Sequence, residues 1–111
     1  MMFEECDLGF PTADAENVRL SYASGDLTMQ FTDWQEQTRS VRFEEVLGFA
    51  WQDELDNSEI RDDVCYRIAA SPWLARLLEL TGEPNPNEFS HYKLCFNACG
   101  VLDVVCRKVV G

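Results

Sequence analysis

His91 is the only histidine in the chain of 111 residues, and it limits the metal and nucleophile chemistry that the sequence can support. A zinc-binding HExxH helix and a two-histidine facial triad each need two histidines, so one chain can build neither. A cysteine nucleophile needs a nearby base, and His91 is the only imidazole available. Cys95 lies four residues along the same predicted strand, roughly 13 Å away, which is too far for direct activation. Cys65 lies on a neighbouring predicted strand, and it is the one other cysteine that we consider as a nucleophile activated by His91.

Other chemical motifs are missing from the sequence. The five cysteines include no Cys-x-x-Cys pair. We therefore expect their side chains to be buried as small hydrophobic groups, and we expect the protein to bind no metal and no cofactor. The glycines form no GxGxxG, GxSxG or P-loop motif. An EF-hand loop that starts at Glu54 fails, because Glu59 stands where glycine is required and Cys65 where glutamate is required. We therefore assign no catalytic residue.

Glu45 interrupts a row of apolar residues at odd-numbered positions. The row consists of Val41, Phe43, Leu47, Phe49 and Trp51. Either a β-bulge turns Glu45 out to water, or its side chain points inward and is neutral, paired with an arginine or near an opening. The inward alternative predicts a small-molecule or enzymatic pocket on the apolar sheet face, with four polar groups: Glu45, Tyr22, Tyr66 and Tyr92.

Negative charge is concentrated in the first half of the chain. The net charge is −11, and residues up to 63 hold 16 of the 20 acidic residues. The densest stretch, residues 53–63, carries six carboxylates and a single cation. Nucleic-acid binding depends on phosphate neutralisation, so DNA and RNA are disfavoured as partners, whereas a basic protein is favoured. Solubility alone is the other explanation of the charge. The predicted partner-binding residues are Glu44, Asp53, Glu54, Asp56, Glu59, Asp62 and Asp63.

The N-terminus predicts a cytoplasmic protein. Residues 1–10 carry three carboxylates where a secretory signal needs positive charge, and the longest apolar run, residues 46–51, is too short to span a bilayer. We expect no membrane association and one domain, residues 1–111, because a chain of this length buries roughly two-thirds of its unfolded surface.

Alternation of apolar and polar residues predicts six strands. Residues 18–22 and 27–31 form a hairpin around Ser24-Gly25 that pairs Tyr22 with Leu27. The other strands cover residues 41–51, 64–68, 92–96 and 102–106. In the last hairpin, a three-residue loop at 98–100 places Phe96 opposite Leu102 and Leu94 opposite Val104.

One helix is predicted between the fourth and fifth strands. Ser71 suits the N-cap, Pro72 the first helical position, and Gly82 the position after the end, so the helix covers residues 72–81. The predicted fold is α+β: an antiparallel sheet of about six strands covered on one face by this helix, or the same sheet curled into a partial barrel.

A mildly basic face is predicted opposite the apolar stripes of the last three strands. It comprises Arg67, His91, Lys93 and Arg107. Against the acidic first half, this face permits head-to-tail self-association, or its charges pair within the chain. Homodimerisation through an uncovered edge strand is a further alternative.

Two C-terminal stretches carry a resemblance. Tyr66-x4-Ser71-x-Trp73-Leu74 and His91-Tyr92-x-Leu94-x-Phe96-Asn97-x2-Gly100-x2-Asp103-Val104-Val105 resemble features of small uncharacterised bacterial proteins, some of which are similar to immunity proteins of toxin systems. The resemblance rests on a layout of strand, helix and hairpin, and it transfers no functional residue. It implies a small bacterial cytoplasmic protein that binds and masks another protein. Our leading hypothesis is therefore a non-enzymatic, acidic interaction module, with the pocket around Glu45 as the alternative.

Overall fold

The computed structural model describes residues 2–12, 14–52, 64–96 and 100–111. These residues form nine strands and one α-helix. The strands are β1 (Met2–Cys6), β2 (Glu16–Ala23), β3 (Asp26–Thr32), β4 (Thr38–Glu44), β5 (Gly48–Gln52), β6 (Cys65–Ala69), β7 (Ser90–Phe96), β8 (Gly100–Cys106) and β9 (Lys108–Val110), and the helix α1 is Pro72–Thr81. A single 3-10 turn, Pro86–Glu88, follows the helix. The predicted α+β class is confirmed.

The strands divide between two antiparallel sheets. The five-stranded sheet has the order β1-β6-β7-β8-β5, and the four-stranded sheet has the order β2-β3-β4-β9. Every pairing is antiparallel, as predicted. The structure differs from the prediction in having two sheets in place of one sheet of about six strands, and these sheets are not closed into a barrel.

A β-bulge at Glu45 carries the chain from one sheet to the other. Glu44 pairs with Lys108 in the four-stranded sheet, and Gly48 pairs with Val105 in the five-stranded sheet. Three residues separate the pairs on the first strand but only two on the second, so the first strand holds an extra residue. Glu45 takes a φ of 53° at this point. The single strand predicted over residues 41–51 is therefore two strands, β4 and β5.

The main core lies between the two sheets. Ten of its fully or almost fully buried residues are Leu27, Met29, Phe31, Val41, Phe43, Leu94, Phe96, Leu102, Val104 and Cys106. The rings of Phe31 and Phe96 meet edge to face, with centroids 5.5 Å apart, and so join the sheets directly. Burial of each large apolar side chain stabilises the fold by about 1.5–3 kcal/mol, so this cluster is the principal source of stability.

The helix covers part of the outer face of the five-stranded sheet. Its side chains pack against Gly48, where an added Cβ would lie 3.0 Å from Leu77 Cδ1 and 3.2 Å from Trp73 Cζ2. A second, smaller apolar cluster on this face contains Tyr66, Ile68, Cys95 and Val101. The bounds of the helix match the prediction.

The first predicted hairpin is confirmed close to its turn. Tyr22 pairs with Leu27 and Leu20 with Met29, as the alternation predicts. The register then shifts between Glu16 and Arg19, where the structure contains a bulge.

The predicted register of the last hairpin is wrong by two residues. Phe96 lies opposite Gly100 and Leu94 opposite Leu102, so the connection is residues 97–99, which lie outside the described residues. A shift of two keeps every side chain on its predicted face, and for this reason the apolar pattern could not detect it. Gly100 is suited to the observed register, because its φ is 151° and an added Cβ would lie 2.4 Å from the carbonyl oxygen of Gln52.

Candidate functional site

Ser71, His91 and Asp103 form a hydrogen-bonded row where α1 meets the five-stranded sheet. Ser71 Oγ lies 2.8 Å from His91 Nδ1, and His91 Nε2 lies 2.7 Å from Asp103 Oδ1. Lys93 Nζ donates to the second carboxylate oxygen of Asp103 at 3.0 Å. We call these four residues the polar row. It joins the start of α1 to two neighbouring strands of the sheet, β7 and β8.

Local structure fixes each member of the polar row. Ser71 is the N-cap of α1, and its Oγ accepts the backbone N–H of Leu74 at 3.1 Å. Lys93 on β7 lies directly opposite Asp103 on β8. His91 is two residues from Lys93 on the same strand, so it lies on the same face and diagonal to Asp103.

Asp103 is the charged centre of the row. Burial alone would raise the pKa of its carboxyl, but hydrogen bonds from His91 and Lys93, with the positive charge of Lys93, outweigh burial and lower the pKa below its ordinary value. The hydrogen bonds are all satisfied when His91 is neutral with its proton on Nε2. In that state Nε2–H donates to Asp103, and the hydroxyl of Ser71 donates to Nδ1.

The residue types match a serine-hydrolase triad, but the geometry favours a structural connection. Ser71 Oγ is already occupied as the helix cap, and Ser71 and His91 are only 5% and 7% exposed. His91 presents Nδ1 to the serine and Nε2 to the carboxylate, the reverse of the usual orientation. The ring of Trp73 packs against His91 with centroids 5.0 Å apart. The polar row therefore fastens the start of α1 to the sheet.

The polar row could not be predicted from the sequence. The predicted register of the last hairpin puts residue 105 opposite Lys93, whereas the observed register puts Asp103 there. The only signal in the sequence is the opposite charges of Lys93 and Asp103 on neighbouring strands. Whether these two residues lie opposite each other depends on the register of the hairpin.

Glu45 is turned out to solvent. Its side chain is 55% exposed, and Oε2 lies 2.7 Å from Arg107 Nη1. Glu83 and Glu88 approach the same guanidinium at 3.9 and 3.1 Å, and the guanidinium lies 5.0 Å from the centre of the Phe89 ring. The contact of Nε with Glu88 lacks hydrogen-bond geometry, so it is an ion pair only. Of the two alternatives for Glu45, the structure shows the bulge.

The four residues of the predicted pocket do not lie together. Tyr22 is on the edge strand β2 and is 52% exposed. Tyr66 is buried in the outer cluster of the five-stranded sheet, next to Phe3, whereas Tyr92 packs against the main core on the opposite face. With Glu45 in solvent, this arrangement counts against a pocket around these groups.

Of the predicted partner-binding residues, only Glu44 is among the described residues. It is half-buried at the end of β4, and its Oε2 lies 3.0 Å from Arg42 Nη2. Six residues lie outside the described residues: Asp53, Glu54, Asp56, Glu59, Asp62 and Asp63.

The predicted basic face is not a continuous patch. Arg67 pairs with Tyr92 and so lies on the opposite face of the sheet from His91 and Lys93. Lys93 is bound to Asp103, and Arg107 is surrounded by carboxylates. Charge pairing within the chain, one of the two alternatives for these residues, is what the structure shows for Lys93 and Arg107.

Two exposed aromatic side chains, one from each sheet, are in contact. Tyr22 of β2 and Phe49 of β5 have ring centroids 5.5 Å apart, and they are 52% and 38% exposed. In the part of the chain that the structure describes, each of these strands lies at one edge of its sheet, and β5 contains no charged residue. We call this pair the aromatic seam. The alternation marked both residues as apolar, but it gave no sign that they meet at an edge.

Comparisons with known proteins identify no relative. Comparing the chain with protein-family models, with curated proteins and with solved structures gave no match in any of the three. Among the described residues, no helix is both long and apolar enough to cross a membrane. The same residues contain no cluster of three or more His, Cys, Asp or Glu side chains arranged to hold a metal ion.

Proposed function

We propose that this protein is a non-enzymatic interaction module that binds a basic surface of another protein. The observation that carries the proposal is the way the charges pair. Five cationic side chains in the described part of the chain lie within 4 Å of a carboxylate of the same chain: Arg39, Arg42, Arg76, Lys93 and Arg107. The chain still has a net charge of −11, so the charge left for a partner is acidic.

The aromatic seam can form the apolar centre of an interface, which an acidic surface alone does not provide. Stable interfaces have an apolar or aromatic centre with a polar, charged rim, and truncation of a few central residues accounts for most of the lost affinity. Tyr22 and Phe49 are suited to such a centre, because both are exposed and already in contact. The acidic stretch 53–63 follows β5 directly in the sequence.

The same charge favours a basic partner over a second copy of the chain. Two copies with a net charge of −11 repel each other, whereas a basic surface is attracted and its encounter rate is raised. The affinity for a basic partner should therefore fall as the salt concentration rises, because salt screens exposed charges over about 8 Å at physiological ionic strength.

The test is capture of partners from the lysate of the source organism by the full chain at low and moderate salt. One variant neutralises part of the acidic stretch with Asp53→Asn, Glu54→Gln, Asp56→Asn, Asp62→Asn and Asp63→Asn. A matched control removes the same charge elsewhere at exposed positions, with Glu4→Gln, Glu5→Gln, Glu16→Gln, Glu36→Gln and Glu79→Gln.

We expect one basic protein to be retained by the wild type and by the control, and lost by the acidic-stretch variant or on raising the salt. Equal loss of this protein by the two variants would show that binding depends only on the overall charge and not on the acidic stretch. Retention of no basic protein would refute the proposal.

A further inference from the structure

Two cysteines face each other across the outermost pair of strands in the five-stranded sheet. Cys6 on β1 and Cys65 on β6 are directly paired in the antiparallel register. Both are reduced thiols in the structure. Cys65 is buried in the main core and Cys6 packs against the same cluster, so the two side chains lie on one face of the sheet.

This juxtaposition matches the geometry that a disulfide needs. Directly opposed residues of an antiparallel pair have Cα atoms about 4.5–5.5 Å apart. Disulfides span Cα separations of about 4.4–6.8 Å. The backbone separation expected for this pair therefore lies within the range that a disulfide bridges.

We propose that Cys6 and Cys65 are an oxidation site that closes to a disulfide between β1 and β6 when the protein meets a small-molecule disulfide such as oxidised glutathione. Cys6, the more exposed thiol, loses its proton and attacks one sulfur of the reagent. One glutathione thiol leaves, and a mixed disulfide remains on Cys6. Cys65 then loses its proton and attacks Cys6 Sγ, which expels the second glutathione. The two protein thiols are oxidised, and one glutathione disulfide is reduced to two thiols.

The environment sets the rate and selectivity of this exchange. Burial, with a smaller contribution from the neighbouring Cys6 thiol, raises the pKa of Cys65 to about 12, and burial also raises the pKa of Cys6. Since the thiolate is the attacking species, the reaction is slow at neutral pH and accelerates as the pH rises. Cys106 is fully buried on β8, remote in register from β1, and is not expected to take part.

The cross-link would fasten an edge strand to the sheet. In the described part of the chain β1 is paired with β6 alone, and it carries the exposed Glu4 and Glu5. A bond between residues 6 and 65 also closes a long loop of the chain, which constrains the unfolded state and stabilises the folded one.

Trypsin separates the cysteines in a way that makes the test direct. Cys6 falls in the peptide 1–19 and Cys65 in the peptide 62–67, whereas the other three cysteines share the peptide 94–107. The full chain is incubated with oxidised glutathione at pH 8.5, remaining thiols are alkylated, and a non-reducing digest is analysed by mass spectrometry. The melting temperature of the oxidised and reduced protein is measured in parallel. The control is Cys6→Ala, which removes the half-buried partner.

We expect peptides 1–19 and 62–67 to be joined in the wild type, and the melting temperature to rise by about 5 °C or more. The Cys6→Ala variant should show neither change. The proposal is overturned if both peptides remain alkylated after prolonged oxidation, or if Cys65 joins the peptide 94–107. A linked protein that melts below the reduced form would also overturn it, because the bond would then have formed by distorting the sheet.

Discussion

Ser71 Oγ lies 2.8 Å from His91 Nδ1 and, at the same time, accepts the N–H of Leu74 in the first turn of α1. One hydroxyl thus caps the helix and ties it to β7. The helix has no fully buried side chain of its own, so its position depends strongly on such fixed points.

Replacing Ser71 with alanine is expected to lower the free energy of unfolding by about 1–3 kcal/mol. The variant loses the N-cap and leaves Nδ1 of the buried His91 without its hydroxyl partner. Urea unfolding followed by circular dichroism measures the change. Ser40→Ala, at an exposed position on β4, is the control and should change the stability by less than about 0.5 kcal/mol. Equal effects of the two substitutions would show that Ser71 has no special role.

Asp103→Asn should reduce stability in a way that depends on pH. Burial opposes the charge of Asp103, but His91 and Lys93 lower its pKa below 3.8 in the folded protein. A carboxyl whose pKa is lower in the folded state stabilises the fold fully above its unfolded pKa, and this contribution disappears as the pH falls through the folded pKa. The wild type should therefore be more stable than the variant by about 2 kcal/mol at pH 7.

The difference in the free energy of unfolding between the wild type and Asp103→Asn should disappear as the pH falls below about 4. Unfolding by urea at a series of pH values from 7 to 2 measures it, with Glu36→Gln on the exposed β3–β4 turn as control. A gap that stays constant over this range would mean that the charge of Asp103 contributes nothing.

Short-range patterns predicted the elements that are defined by local chemistry. The caps of α1 and the pairing of Tyr22 with Leu27 follow from residues within a few positions of each other. The strand β1 was missed because Glu4 and Glu5 occupy both faces, so no apolar alternation marks it. The strand β9 has only three residues, too few for a periodic signal.

The contacts of the candidate functional residues could not be predicted, because they depend on long-range strand pairing that the sequence pattern does not contain. A shift of two residues in the last hairpin leaves every apolar residue on its predicted face, yet it decides whether Asp103 lies opposite Lys93. The contact between Tyr22 and Phe49 depends on the strand order in both sheets. For Glu45 the sequence pattern allows either a bulge or an inward carboxylate, and only the strand pairing on both sides of it distinguishes the two.

Ala70→Gly is expected to stabilise the protein by about 0.5–1 kcal/mol. Ala70 precedes the helix cap with a φ of 54°, a left-handed conformation that costs a residue with a Cβ more than it costs glycine. The matched control is Ala75→Gly, an exposed position within α1, where glycine should cost about 1 kcal/mol. Thermal melts of both variants test the opposite signs, and a loss of stability in both would contradict the assigned backbone conformation.

Gly100→Ala should be among the most damaging small substitutions. A Cβ at this position would lie 2.4 Å from the backbone oxygen of Gln52 and 2.8 Å from the Trp51 ring, so β5 would have to move away from β8. We expect a loss of at least about 2 kcal/mol, measured by urea unfolding. At Gly25, φ is also positive but an added Cβ meets nothing within 4 Å, so Gly25→Ala should cost only the conformational term of about 1 kcal/mol. Similar losses at the two sites would argue against the close approach at Gly100.

The aromatic seam and the acidic stretch should contribute to partner binding in different ways. The double substitution Tyr22→Ser and Phe49→Ser removes exposed apolar surface and no charge. It should therefore weaken binding about tenfold or more at every salt concentration and leave the salt dependence unchanged. The neutralised acidic stretch should instead reduce the salt dependence itself. Titration calorimetry with the captured partner at two salt concentrations separates these effects. Leu80→Ser, at an apolar position of α1 that is 66% exposed, is the control and should bind like the wild type. If the double variant also binds like the wild type, the partner does not contact the seam, and the interface must be sought elsewhere on the acidic surface.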